Sequence, residues 1–191
     1  MKKIVFIFSF LAIHFFNTSA QKNTDLFSLK ILDHNNHQYN FYEIKKYNAC
    51  VFIFLLTDCP ASQNYTLTIR KLKEKYKSKN VNFIIVFPGD FSTPKDVNDF
   101  INQYKLNGTI LADKSFALAK FLHAKVAPES FLVSNTGKTL YSGRIDNLYY
   151  SPGRKRQVIT SSDLDNAIAN IVNGKLQTIP STNAIGCIIN Y

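Results

Sequence analysis

The 191-residue chain is 46% hydrophobic, and its length fits one domain with an adequate core. Its net charge of +10 comes from 23 lysines and arginines against 13 acidic residues. The lysines are spread over the solvent faces of predicted helices rather than gathered into a stripe, which argues against nucleic acid as a partner. The tight basic cluster at residues 154–156 is predicted to be an exposed loop.

The first 20 residues have the features of a secretory signal peptide. Lysines at residues 2–3 precede an apolar stretch at 4–16 and a small-residue cleavage site at 18–20. The apolar stretch is too short for a comfortable membrane span, and no later segment approaches one. We therefore predict a signal peptide at residues 1–20 and an exported protein, periplasmic or secreted, without a membrane span.

Apolar periodicity divides the rest of the chain into strands and helices. Strands are predicted at residues 27–32, 39–42, 51–56, 81–87, 109–111, 129–134 and 139–145, and helices at 63–77, 95–104, 115–122 and 162–172. The first two strands are predicted to form one hairpin, and the turn at 135–137 joins the last two in another. This order predicts an α/β sandwich with a mixed central sheet at residues 21–173, followed by a tail at 174–191.

Cys59 lies where the apolar run 51–56 has ended and a helical pattern begins. Pro60 suits a first helical turn, and the free N–H groups and dipole of a helix N-terminus lower the pKa of a cysteine thiol. The carboxylate of Asp58 opposes ionisation of the Cys59 thiol. Ser62 stands where a dithiol motif carries its second cysteine, and its hydroxyl can hydrogen-bond a thiolate without closing a disulfide. We predict that Cys59 is a nucleophile assisted by Ser62.

Three cysteines in an exported chain leave one without a partner. An extended strand separates Cys50 from Cys59 and keeps their sulfurs beyond bonding distance, so Cys50 is predicted to be a small buried hydrophobic residue. The tail that carries Cys187 can fold back towards Cys59. Because thiols rarely stay unpaired in an oxidising compartment, we predict a Cys59–Cys187 disulfide, either catalytic or structural.

Three other polar residues have two interpretations each. His123 could join Cys59 at a copper site, but one thiol and one imidazole make a poor site, so we predict no metal, no cofactor and a surface or helix-capping His123. Arg144 and Asp146 could line the site, and a structural ion pair between them is the favoured interpretation.

The order of elements, with a cysteine at the head of the first long helix, resembles the thioredoxin fold. The segment 127–129 resembles the cis-proline segment of that fold, which faces the active cysteine. Segments 57–60, 143–146 and 186–188 are similar to an exported redoxin-domain subgroup related to the alkyl hydroperoxide reductase/thiol-specific antioxidant family. The resemblance implies a three-layer thioredoxin-like sandwich in which Pro128 is cis, close to Cys59, and positions an extended substrate backbone.

The chain departs from the peroxiredoxin pattern, because Phe52 and Leu56 hold the positions of its proline and its hydroxyl residue and Thr57 is one residue too close to the cysteine. We therefore predict a monomeric thiol-disulfide oxidoreductase for protein or small thiol substrates rather than a peroxidase. Its predicted site combines Cys59, Ser62, Pro128 and Cys187. The alternative is a non-catalytic thioredoxin-like binding module with a structural disulfide or a weak metal site.

Overall fold

A six-stranded mixed sheet forms the centre of the computed structural model, which describes residues 25–90, 92–175 and 179–191. The predicted signal peptide lies outside these residues. In chain order the strands are β1 (Leu32–Asp33), β2 (Ala49–Phe54), β3 (Val81–Pro88), β4 (Thr109–Asp113), β5 (Val126–Ala127), β6 (Glu129–Ser134), β7 (Thr139–Gly143), β8 (Tyr149–Ser151), β9 (Arg154–Lys155) and β10 (Cys187–Ile188). The α-helices are α1 (Pro60–Tyr76), α2 (Pro94–Tyr104), α3 (Ala117–Leu122) and α4 (Asp163–Val172). Short 3-10 helices occupy Leu26–Ser28, Phe41–Lys46 and Lys77–Lys79.

The order of the strands in the central sheet is β1-β4-β3-β2-β6-β7. Strand β2 pairs in parallel with β3 and antiparallel with β6, and all six of its residues are buried. This full burial explains why the strand is a continuous apolar run rather than an alternating one. The register sets Phe54 at the end of β2 opposite Glu129 at the start of β6, so the segment before β6 lies beside the loop that leads to α1.

Helices flank the sheet and complete the α/β sandwich predicted from the sequence. The buried face of α1 includes Tyr65, Ile69, Leu72 and Tyr76, whose spacing is helical. Helix α2 begins with a capping box, in which the hydroxyl of Thr93 accepts from the backbone of Asp96 and the Asp96 carboxylate accepts from the backbone of Thr93. In the part of the chain that the structure describes, no helix is both long and apolar enough to cross a membrane.

The predicted hairpin near the N-terminus is present at its turn, where the N–H of Tyr39 donates to the Ile31 carbonyl, but its predicted strands are wrong. Only Leu32–Asp33 forms a strand there, with an antiparallel bridge from Leu32 to Gln38, and Phe41–Lys46 is a 3-10 helix. Phe41 and Ile44 are buried three residues apart, and the side chain of Asn40 caps the helix by accepting from the N–H of Tyr42. Burial at this spacing requires a helical turn, because a strand would point the two side chains to opposite faces.

Two further boundaries differ from the prediction. Helix α1 begins at Pro60 rather than at residue 63, so Cys59 directly precedes it. The basic cluster at 154–156 is exposed, as predicted, but Arg154–Lys155 pairs with Tyr149–Ser151 in a small hairpin rather than forming a loop.

Candidate redox site

Cys59 is the N-cap residue of α1, with an extended backbone at φ −85° and ψ 115°. Pro60 occupies the first turn, and the Cys59 carbonyl accepts from the N–H of Gln63 at 3.1 Å. Cys59 therefore lies at the end of the helix where the dipole is positive, although its side chain forms no capping hydrogen bond with the helix N–H groups. Cys59 is only 1% exposed, so its access depends on what covers it.

A disulfide joins Cys59 to Cys187, with 6.0 Å between the two Cα atoms. The predicted pairing is confirmed. The tail reaches the site as strand β10, which pairs antiparallel with β5 and sets Cys187 opposite Ala127 and Ile188 opposite Val126. The tail is thus partly a strand, which its short apolar stretch did not predict.

The peptide bond between Ala127 and Pro128 is cis, as predicted, and Pro128 is buried beside the disulfide. The carbonyl oxygen of Ala127 lies 3.2 Å from Cys59 Sγ. In the reduced protein this carbonyl can accept a hydrogen bond from the thiol, which favours the protonated form and opposes the effect of the helix N-terminus.

Glu129 supports this segment and was missed by the sequence reasoning. Its Oε2 accepts from the N–H groups of Lys125 and Val126 at 2.7 and 3.3 Å. Burial raises the pKa of the Glu129 carboxyl, against the lowering effect of these two N–H donors. The available signal was weak, because a carboxylate that follows a short connection does not show which backbone N–H groups it accepts from.

Ser62 is fully buried, and its Oγ accepts from the N–H of Leu56 at 3.1 Å. This bond ties the first turn of α1 to the loop that leaves β2, so Ser62 has a structural role that the sequence did not reveal. The bond uses a lone pair of the hydroxyl and does not use its proton. Stabilisation of a Cys59 thiolate by Ser62 therefore stays a prediction.

The tail is held against β7 before it reaches the disulfide. The N–H of Thr182 donates to the Ser142 carbonyl at 3.0 Å, and the Thr182 hydroxyl lies 2.7 Å from the Tyr141 hydroxyl. A side chain at Gly143 would overlap Thr182, and the backbone there has φ +139°, so this position needs glycine. The tail is therefore bound at Thr182 as well as at Cys187.

Arg144 forms an ion pair with Asp163. The predicted partner, Asp146, is wrong. The Nε of Arg144 donates to Asp163 Oδ2 at 2.7 Å. Burial opposes ionisation of Asp163, but the bonds from Arg144 and Ser161 outweigh it and hold the pKa of Asp163 below its usual value. Asp146 instead accepts from the Tyr65 hydroxyl at 2.6 Å, and burial together with this bond raises the pKa of Tyr65.

The positions that distinguish peroxiredoxins are apolar and buried here. Phe52 and Leu56 are 0% and 7% exposed, and the hydroxyl of Thr57 lies 2.6 Å from that of Ser92.

Cys50 is a free, buried cysteine, as predicted, and burial raises its pKa to about 12.

The structure offers no support for a metal site among the residues it describes. No three His, Cys, Asp or Glu side chains are grouped so that they could hold an ion there. His123 is exposed, ends α3 with φ +59°, and lines a cleft of about 460 Å³ together with Glu129 and Thr182.

A family model described as Redoxin matches residues 19–152, which include Cys59 and Pro128. The chain belongs to the Redoxin family. Cys187 lies beyond the matched segment, so the family match does not include the second cysteine of the disulfide. No curated protein sequence matches the chain.

Solved structures similar to this redoxin domain have low sequence identity. A hypothetical protein from Sinorhizobium meliloti 1021 is 23% identical with a TM-score of 0.74, and the match covers 84% of this chain and 89% of that one. A secreted Mycobacterium tuberculosis disulfide oxidoreductase homologous to E. coli DsbE is 12% identical with a TM-score of 0.54, covering 76% and 95%. A putative thiol:disulfide interchange protein DsbE from Chlorobium tepidum is 16% identical with a TM-score of 0.57, covering 78% and 92%. These similarities show a thioredoxin-like fold.

Proposed function

We propose that this redoxin is an exported thiol-disulfide oxidoreductase in which Cys59 and Cys187 form the redox couple. The observation that carries the proposal is the disulfide itself, which joins the N-cap residue of α1 to a tail strand beside the cis Ala127–Pro128 bond. A disulfide at a helix N-terminus has a sulfur that leaves readily as a thiolate. Two structural neighbours are a secreted disulfide oxidoreductase and a putative thiol:disulfide interchange protein, which supports the same activity.

Reduction of the disulfide proceeds in two thiol exchanges. A donor thiolate attacks Cys187 Sγ, because Cys187 is partly exposed whereas Cys59 is buried. A bond forms between the donor sulfur and Cys187, and the electron pair of the broken bond leaves with Cys59 as a thiolate that the α1 N-terminus stabilises. A second donor thiol then displaces Cys187, so two donor thiols become one disulfide and both cysteines become reduced.

The reduced protein can pass these electrons to a substrate disulfide. The Cys59 thiolate attacks one substrate sulfur, and the other substrate sulfur leaves as a thiolate, while Pro128 positions the substrate backbone. The Cys187 thiolate then attacks Cys59 Sγ, which releases the remaining substrate sulfur as a thiolate and restores the Cys59–Cys187 disulfide. We propose protein or small thiol substrates, a monomer, and an oxidising compartment reached through the predicted signal peptide. Peroxidase activity is less expected, because the apolar side chains of Phe52 and Leu56 occupy the positions of the proline and hydroxyl that cradle a peroxide in peroxiredoxins.

Equilibration with glutathione buffers tests the proposal. Oxidised protein is incubated at defined ratios of reduced to oxidised glutathione, and the reaction is stopped with acid. Mass spectrometry then gives the number of free thiols in each protein molecule. We expect reversible interconversion of a dithiol and a disulfide form, loss of the couple in Cys59→Ser and Cys187→Ser, and an intact couple in the matched control Cys50→Ala. Failure of Cys59 to react with oxidised glutathione in reduced, folded protein would refute the proposal.

A second candidate is a non-catalytic module in which the disulfide is structural. The observations that favour it are the burial of Cys59 and the separate anchoring of the tail at Thr182. A structural bond resists mild reductant, whereas a catalytic one is reduced readily. The rate of reduction by dithiothreitol under native conditions, compared with the rate after unfolding in urea, distinguishes the two: similar rates favour the enzyme, and a native rate slower by orders of magnitude favours the module.

A further inference from the structure

We infer that β10 occupies a strand-binding groove whose other ligands are protein strands with glycine immediately before the reacting cysteine and an apolar residue two positions after it. This inference rests on the proposed function and names its substrate class. The segment 186–189 of the tail is then a built-in copy of the substrate strand, and the tail and the substrate exclude each other from the groove.

The groove is the free edge of β5. In the described residues, β5 and β10 form a sheet of their own, separate from the central sheet. The pairing continues beyond β10, because the N–H of Ile189 donates to the Lys125 carbonyl at 2.9 Å. When the tail leaves, these backbone groups lose their partners, and an extended segment of another protein can restore them by adding a strand.

The need for glycine follows from the space around Gly186. A Cβ built at this position would overlap the carbonyl carbon and oxygen of Ala127, which are backbone atoms that cannot rotate away. The backbone of Gly186 does not have a positive φ, so the need for glycine comes from lack of space and not from backbone conformation. A substrate strand bonded to Cys59 in the same register places its preceding residue against the same carbonyl.

The residues after the cysteine alternate in burial as expected for a strand with one face inward. Ile188 is 69% exposed, whereas Ile189 is 4% exposed and belongs to the hydrophobic core. The groove therefore accepts any side chain directly after the cysteine and requires an apolar side chain at the next position.

Single-turnover kinetics with peptide disulfides test this specificity in the full-length Cys187→Ser variant, which leaves Cys59 without its internal partner. The probes are Gly-Cys-Ile-Ile-Asn-Tyr and two relatives, one with alanine before the cysteine and one with aspartate in place of the second isoleucine, each joined to thionitrobenzoate. The Cys59 thiolate forms a disulfide with the peptide sulfur, and thionitrobenzoate leaves as a coloured thiolate. We expect the parent peptide to react roughly tenfold faster than either relative, because both changes place an incompatible group against the groove.

A second variant tests competition by the tail. Gly186→Ala combined with Cys187→Ser is expected to displace the tail and to accelerate the reaction with the parent peptide, and the matched control Ile188→Ala with Cys187→Ser, which changes an exposed side chain, is expected to react like Cys187→Ser alone. Equal rates for the three peptides would overturn the inference. If Cys59 still reacted with oxidised glutathione in that case, the proposed function would stand without the specificity; if it did not, both would fail.

Discussion

Replacing Cys187 by serine opens a covalent loop between cysteines 128 positions apart in the sequence. By the chain-entropy relation, closing a loop of this length stabilises the folded state by roughly 5 kcal/mol, because it restricts the unfolded chain. A domain of this size has a total stability of about 5–15 kcal/mol, so the expected loss is a large fraction of it.

The native contacts of the tail are expected to survive the substitution. Thr182 keeps its bonds to the Ser142 carbonyl and the Tyr141 hydroxyl, and Ile189 keeps its buried position. Most of the loss therefore comes from the unfolded state, and the slope of the unfolding free energy with urea should rise, since an open chain exposes more surface than a cross-linked one.

Urea unfolding followed by circular dichroism measures both effects in oxidised wild type, reduced wild type, Cys187→Ser and Cys59→Ser. We expect the last three proteins to have equal free energies of unfolding, each lower than that of the oxidised wild type. Cys50→Ala is the matched control for loss of a cysteine outside the loop, and its slope should equal that of the wild type. A loss under about 1 kcal/mol in Cys187→Ser, with an unchanged slope, would refute the reasoning, because differences of that size arise from residual structure in unfolded chains.

Two substitutions have outcomes that follow from single contacts, and the site of glutathione attack follows from the exposure of Cys187. Ser62→Ala should destabilise the fold by about 1–3 kcal/mol, because it leaves the buried N–H of Leu56 without its acceptor. Asp163→Asn should cost about 2 kcal/mol at neutral pH through the lost bond to Arg144. The lowered pKa of Asp163 means that its stabilisation is present above about pH 4 and is lost as the pH falls through the folded-state pKa, so the variant should lose stability less steeply in acid. Glutathione added to oxidised protein should form its first adduct at Cys187.

Each of these outcomes has a direct measurement. For Ser62→Ala the measurement is urea unfolding, and a free energy of unfolding equal to that of the wild type would contradict the role of the hydrogen bond. For Asp163→Asn the measurement is urea unfolding at a series of acidic pH values, and a slope with pH like that of the wild type would exclude the ion pair as its cause. Peptide mapping after an acid quench identifies the glutathione adduct, and a first adduct on Cys59 would show that the buried sulfur is the point of attack.

Local patterns in the sequence were sufficient for most of the elements and for the position of Cys59 at the head of α1. The apolar run of β2 and the helical spacing of α1 are properties of neighbouring residues, so they located the strand-to-helix junction at Cys59. The turn at 135–137 likewise identified the hairpin of β6 and β7. The length of an extended strand was enough to predict that Cys50 does not pair with Cys59. In the structure Cys50 is buried and free, which agrees with that prediction.

The tertiary structure decided the features that depend on contacts between distant residues. The tail has too short an apolar stretch to predict a strand, and β10 forms because β5 presents a free edge beside Cys59. Asp163 became the partner of Arg144 because the start of α4 lies against the end of β7, which no spacing in the sequence shows. Glu129 and Ser62 hold loops through backbone N–H groups whose need for an acceptor depends on how those loops fold. The reason is physical: a local pattern reports burial and backbone preference, whereas the partner of a polar group depends on which segments the whole fold brings together.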